Sequence, residues 1–291
     1  MRIVCHLGAH STDEGRILAC LEQNRDRLAA SGTALPDPAS YRPLLRQTQA
    51  RSEDEIGTDA LEGRLLSSIC PDALPERLIL SNDSFLAAPA RVFKRGALYT
   101  QAGDKALWLS RLFPNHHTSF FLGLRNPATF IPAVYGRLRE TSFKGFLGDV
   151  DPRAVRWSHV VRAIAEAAPG RPLIVWCNED TPLIWSELLG AIAGEPADPP
   201  FAGQDDFLSG LMTDAGLKRM HAYLTSHAPA DEAQRRRTVS AFLEKFAIPD
   251  AVEMELDLPG WTETLVEEIT EAYEKDMSDI HRIPGVTFLE A

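Results

Sequence analysis

The residues with the most chemical promise lie in the stretch His6-Leu-Gly-Ala-His-Ser-Thr-Asp-Glu-Gly15. It follows a short apolar run and precedes Ile17, Leu18, Leu21 and Leu28, an apolar stripe at helical spacing. A strand that ends in a glycine-containing turn before a helix is an anion site by geometry. Unpaired backbone N–H groups and the positive end of the helix dipole both point at the turn. Gly8, Ala9, His10, Ser11 and Thr12 would form that cradle. Asp13 and Glu14 oppose an anion there, although carboxylates stabilise a bare helix N-terminus. Arg16 reads first as an exposed helix residue; reaching back, it would restore one positive charge. His10, in the loop, is placed to touch a phosphate or an acceptor. His6, inside the strand, reads as a core histidine hydrogen-bonded to a neighbour.

Two further segments carry candidates. Leu78-Ile-Leu-Ser-Asn-Asp83 is an apolar run ending in a carboxylate. Taken by itself, Asp83 reads as a turn or cap residue. Arg125 follows the run Ser119 to Leu124 and precedes Asn126-Pro127. An arginine just past a strand end binds an anion, caps structure or pairs with an acidic neighbour.

In order and spacing, these segments resemble the bacterial sulfotransferase-like branch of the P-loop proteins, whose members open His-Ile-Gly-x-His-Lys-Thr-Gly-Thr-Thr or close to it. His6, Gly8, Ala9, His10 and Thr12 fit, and Asn24, Arg25, Leu28 and Gly32 suit the helix that follows. Phe120-Phe-Leu-Gly-Leu-Arg-Asn-Pro and the stretch to Tyr135 look like the family's strand, Arg-Asp-Pro turn and helix. Arg156-Trp157 and Asn178-Glu179 look like its later core, so the resemblance covers residues 1–195. It implies sulfuryl transfer from 3′-phosphoadenosine 5′-phosphosulfate to a hydroxyl or amine of a small acceptor, with no metal. The loop and Thr12 would hold the 5′-phosphosulfate, Arg125 the 3′-phosphate, and Asp83 or His10 would act as base. The departures are as specific as the matches. Ser11 stands where the family carries a lysine that stabilises charge on the transferring group, and Ala133 stands where a serine helps to hold the 3′-phosphate. Asp13 and Glu14 replace a glycine and a hydroxyl residue. These changes imply the alternative of a non-catalytic relative that keeps the fold as a binding or interaction module.

Four apolar runs, Ile3 to Leu7, Leu78 to Leu80, Ser119 to Leu124 and Leu173 to Cys177, are too short for helices and read as buried parallel strands. Stripes at Leu107, Trp108, Leu109 and Leu112, at Val160, Val161 and Ile164, and at Trp185, Leu188 and Leu189 place helices between and after them. The alternation predicts a three-layer α/β domain, a parallel sheet with helices on both faces. Beyond Pro196-Ala-Asp-Pro-Pro-Phe201, helices dominate at Asp214 to Leu224, Asp231 to Phe246 and Gly260 to Ile280. Residues 196–291 read as a helical extension packed on the 1–195 core, one domain with it, and Gly285 to Leu289 as a tail docking back.

The bulk numbers bound the rest. With 291 residues and 44% hydrophobic content, a sizeable core is possible without disulfides or metals. A net charge of −11 argues against nucleic acid and large polyanions as partners. No apolar run approaches a membrane span and the N-terminus lacks a secretory pattern, so cytoplasmic residence is the expectation. Cys5, Cys20, Cys70 and Cys177 form no C-x-x-C pair and read as buried thiols. His116-His117 reads as a solvated turn, Arg235-Arg-Arg237 as a helix face paired with nearby acids, and the acidic stretch Glu253 to Asp279 as solvation of the last helix. Neither a Gly-x-Ser-x-Gly elbow nor a Gly-x-Gly-x-x-Gly fingerprint is present.

Overall fold

Strands rich in β-branched and aromatic residues, buried on both sides, need helices on both faces, and the chain supplies them. The computed structural model describes residues 1–49, 55–139, 141–196, 199–252 and 258–291. Six strands form one sheet: β1 (Arg2–His6), β2 (Thr33–Ala34), β3 (Arg77–Ser81), β4 (His117–Leu124), β5 (Leu173–Cys177) and β6 (Val286–Leu289). Their order is β2-β3-β1-β4-β5-β6, and every pairing is parallel. The architecture is therefore the three-layer α/β fold read from the sequence.

Alternation along the strands builds the two cores. Ile3, Cys5 and Leu7 join Leu78, Leu80, Phe120 and Leu122 on one face. Val4, Ile79, Phe121 and Trp176 meet Ile17, Leu21, Ile184 and Leu188 on the other. Register then sets the position of the loops. His6 lies level with Ser81 of β3 and Phe121 of β4, so the chain leaves three adjacent strands on one edge of the sheet. That carboxyl-end edge is where ligands bind on open parallel sheets.

Several details differ from the sequence reading. β2 is a strand of two residues, too short to leave a pattern, and the tail expected only to dock becomes β6. Leu107 is exposed; the buried stripe of its helix is Ala106, Leu109 and Ser110, with Leu112 just beyond. His116 is not a solvated turn residue: its ring meets the Met1 amino group at 3.4 Å and lies 3.7 Å from Glu62, while His117 opens β4. Cys70 and Cys177 are only partly buried, and all four cysteines are free.

The helices beyond Pro200 divide in two. Asp206–Ser209, Asp214–Ser226 and Glu232–Phe246 enclose a small cluster of Leu208, Met212, Met220 and Val239. The last helix, Glu263–Ile280, instead buries Leu265, Ile269, Tyr273 and Ile280 in the main core. Its Asp276, 3% exposed, accepts the Ser158 N–H at 3.1 Å and the Ser158 hydroxyl, capping the helix Trp157–Ala167. In the arginine triplet, Arg235 pairs with Glu232 at 3.1 Å and Arg236 reaches Glu187. Glu255 and Asp257 of the acidic stretch lie outside the described residues. Among the described residues no helix is long and apolar enough to cross a membrane.

Candidate functional site

The sequence candidates converge on the carboxyl edge of β3, β1 and β4. Gly8 is required there for two reasons. Its φ of 94° belongs to the left-handed region, and a Cβ would stand 3.0 Å from the Asp83 Cα. The loop after β1 thus lies directly against the residue that follows β3. Gly123 gives the same freedom on the other side: a Cβ there would sit 3.0 Å from the Trp176 ring and 3.4 Å from the Thr12 Cβ. Gly8, Ala9, His10, Ser11, Thr12, Asp83 and Arg125 are brought together.

Many of the loop's polar groups are already engaged within the chain. The Ala9 N–H donates to the Gly123 carbonyl at 3.2 Å and the His10 N–H to the Tyr99 hydroxyl at 3.3 Å. The Thr12 hydroxyl donates to the Ala9 carbonyl at 2.8 Å. Asp13 turns inward, 7% exposed, and its carboxylate accepts the Ile17 N–H at 3.2 Å, so it caps the helix Arg16–Gln23. Arg16 reaches back to Glu14, at 3.7 Å, and its guanidinium lies over the Phe207 ring, 5.1 Å from the centroid. The N–H groups of Ser11, Thr12 and Asp13 make no hydrogen bond among the described residues.

His10 is wholly buried. Its Nδ1 lies 2.5 Å from the Tyr99 hydroxyl, with the two rings stacked. The Tyr99 oxygen also accepts the His10 backbone N–H; with the Tyr99 proton directed at Nδ1, the imidazole proton sits on Nε2. The Nε2 atom has no hydrogen-bond partner among the described residues. Burial holds the His10 pKa down at about 4, against a raising influence from Asp83 and a lowering one from Arg137. His6 is similar: its Nδ1 meets the Ser81 hydroxyl at 2.9 Å, its Nε2 is unpartnered, and burial lowers its pKa. Both imidazoles are neutral near pH 7 and bring no positive charge to the loop.

Asp83 is a half-exposed carboxylate paired with Arg137 at 2.8 Å, and it accepts the Ser84 hydroxyl at 3.1 Å. Burial pushes its pKa up, but the Arg137 hydrogen bond and charge and the Ser84 hydroxyl outweigh that, and the net shift is downward. A carboxylate held below its ordinary range is a weakened proton acceptor.

Arg125 donates to the Ser11 carbonyl and, at 3.0 Å, to the Thr129 hydroxyl. Burial lowers its pKa, while Glu179 and Glu14 act in the opposite sense. Glu179 stands beside it, accepting the Asn126 N–H at 2.8 Å and the Tyr273 hydroxyl at 3.0 Å. A carboxylate therefore occupies the N-terminus of the helix Pro127–Gly136. Ala133 offers no hydroxyl to this end of the site. No group of three or more metal-ligating side chains is present among the described residues.

Sequence reasoning missed three participants: Tyr99, Arg137 and the role of Glu179. Tyr99 follows the irregular stretch after Arg91 and lies far along the chain from His10, so spacing gave no signal. Arg137 sits just past a helix end, a position that ordinarily reads as solvated. Glu179 was legible as part of a strand-end pair with Asn178, but not as the neighbour of Arg125. Compared with known proteins, the chain matches no family model and no curated protein.

Proposed function

We propose that this chain is a sulfotransferase-like α/β protein that no longer drives sulfuryl transfer and serves as a binding or interaction module. The observation that carries this reading is the hydrogen bond from Arg125 to the Ser11 carbonyl. In the resemblance these two positions serve the 3′-phosphate and the 5′-phosphosulfate of one donor. Here they are bonded to each other, and the lysine that would answer charge on the transferring group is a serine. Asp13 and Glu179, each fixed by backbone N–H groups, add negative charge at both ends of the same crevice. Catalysis of group transfer depends on preorganised positive charge at the reacting group, and these contacts supply the opposite.

One observation favours a second reading. The free N–H groups of Ser11, Thr12 and Asp13 keep part of a phosphate cradle, with Asp83 and His10 beside it. An active chain would use them to hold 3′-phosphoadenosine 5′-phosphosulfate, Arg125 would turn to the 3′-phosphate, and Asp83 or His10 would take the proton of a small acceptor.

Titration with adenosine 3′,5′-bisphosphate separates the two. The module reading expects no heat and no shift in melting temperature at millimolar ligand. Ligand at a hundred times its Kd would stabilise the fold by about 2.7 kcal/mol, a shift no melting experiment would miss. Micromolar binding, or a Ser11→Lys variant that alone restores it, would overturn the module reading in favour of transfer.

A further inference from the structure

The acidic chain carries one exposed surface of opposite sign, beside this crevice. Residues 84–103 contain Arg91, Lys94 and Arg95 and no carboxylate. After the helix Pro127–Gly136 come Arg137, Arg139 and Lys144, with one carboxylate, Glu140, between them that lies outside the described residues. All six are exposed.

Packing joins the two segments. Phe93 meets Phe146 edge-on with ring centroids 5.4 Å apart, and Tyr135 packs on both Phe143 and Phe146 at 5.2 and 6.0 Å. Val92 and Phe93 are buried, and the turn that follows, with Arg95 at φ 68°, keeps Lys94 and Arg95 at the surface. Lys144 lies in the short helix Phe143–Leu147 that supplies the facing ring. Arg137 connects the surface to the crevice through Asp83.

Most of the charge on this surface has no carboxylate partner among the described residues. Of the six, Arg137 alone has a carboxylate within ion-pair distance among the described residues. Arg91 also lies close enough to Lys105 to push its pKa down, after burial and against the pull of Asp104. Half-buried Tyr135, Leu138 and Phe143 lie among the cations, so the surface offers apolar contact as well as charge.

We propose that this surface docks a short acidic segment of a partner protein, one that carries apolar residues among its carboxylates. The inference rests on the module reading and names its partner class. Electrostatic range decides the choice of occupant. Exposed charges are screened beyond about 8 Å at physiological salt, so a short segment confined to the surface feels the cations and little else. A nucleic acid or an anionic bilayer extends past that range and meets the rest of a chain whose net charge is −11.

The test is fluorescence anisotropy with a labelled glutamate-rich peptide interspersed with leucine. The variants are Lys94→Glu/Arg95→Glu/Lys144→Glu and a control of equal charge change, Lys218→Glu/Arg237→Glu/Lys275→Glu. The surface triple is expected to weaken peptide binding about tenfold or more, and added salt to weaken it further. The control triple is expected to stay within about twofold. Glutamine at the same three surface positions, which removes charge without reversing it, should give an intermediate loss in a chain with unchanged circular dichroism. The inference is overturned by an absence of peptide binding or by equal weakening in the control. It is also overturned if phosphatidylserine vesicles or single-stranded RNA bind more tightly than the peptide, or if ultracentrifugation shows the surface occupied by a second copy of the chain. Nucleotide titration reads the module proposal separately: silence with both nucleotide and peptide leaves the module reading standing and removes this partner.

Discussion

Acidification should destabilise this protein through His10, and the size of the effect follows from its burial. The pKa of His10 is held at about 4 in the fold, against 6.5 for an unperturbed imidazole. Below 6.5 the unfolded chain takes up a proton that the folded chain refuses, so the unfolded state binds more protons and stability falls with pH. The contribution is intact above that value and is lost between 6.5 and 4. The whole gap corresponds to roughly 3 kcal/mol, of which about 2 kcal/mol is expressed by about pH 5. His10→Asn keeps a side-chain oxygen to accept the Tyr99 hydroxyl while removing the titration. Urea unfolding of both proteins at about pH 7 and about pH 5 gives the comparison. The variant starts lower, from lost packing, but should lose about 2 kcal/mol less on acidification. A residual slope of the same sign is expected from His6, whose pKa is also lowered by burial. Equal losses in the two proteins would refute the argument, because His10 would then be protonated alike in folded and unfolded chains.

Three other outcomes follow from individual contacts. Asp276→Ala leaves the Ser158 N–H and hydroxyl without their acceptor at the start of a buried helix; urea unfolding should show a loss of about 2–3 kcal/mol. Glu179→Gln keeps an acceptor for the Asn126 N–H and removes the charge beside Arg125. Calorimetry should then detect adenosine 3′,5′-bisphosphate binding in a Ser11→Lys/Glu179→Gln chain and none in Ser11→Lys alone. Burial pushes the thiols of Cys5 and Cys177 up to about 12 and that of Cys20 to about 11. At about pH 8 the native chain should therefore react slowly with a maleimide, while the unfolded chain titrates every thiol at once.

The sheet was legible in the sequence because its signal is local. β1, β3, β4 and β5 are short apolar runs with breaks at both ends, and the helices between them carry stripes at helical spacing. β2 escaped because two residues hold no pattern, and β6 because a four-residue, partly buried run at the end of the chain reads as a docking tail until its pairing with β5 is seen. For the site, the types of residue were legible but not their occupancy. Thr12 and Arg125 are ordinary anion ligands by chemistry, yet the Thr12 hydroxyl bonds Ala9 and the Arg125 guanidinium bonds Ser11. Whether a donor is available depends on what folding brings beside it, and Tyr99 and Glu179 come from distant segments.

On the proposed reading the fold outlasts the chemistry, because the two depend on different residues. β1 is held by Ile3, Val4 and Cys5, buried on both faces, and by backbone bonds to β3 and β4. None of these needs a lysine at position 11 or a serine at position 133. What those positions would have supplied is charge and hydrogen bonding at the edge, and there the chain answers its own demands. Asp13 meets the N-terminus of the helix Arg16–Gln23, the one that a 5′-phosphate would meet in the resemblance, and Glu179 meets the one beside Arg125. Each carboxylate satisfies backbone donors in the way an incoming phosphate would. On that reading an anion at the Arg125 end meets the bonded carboxylate of Glu179, and one at the loop finds the free N–H groups of Ser11, Thr12 and Asp13 beside the Asp13 carboxylate, so negative charge opposes a dianion at both ends. The same two carboxylates leave the basic surface around Lys94 and Lys144 untouched. On the module reading, the unpaired positive charge lies on the exposed face around Lys94 and Lys144, where a partner segment would meet it, while Arg125 at the strand edge is bonded to Ser11.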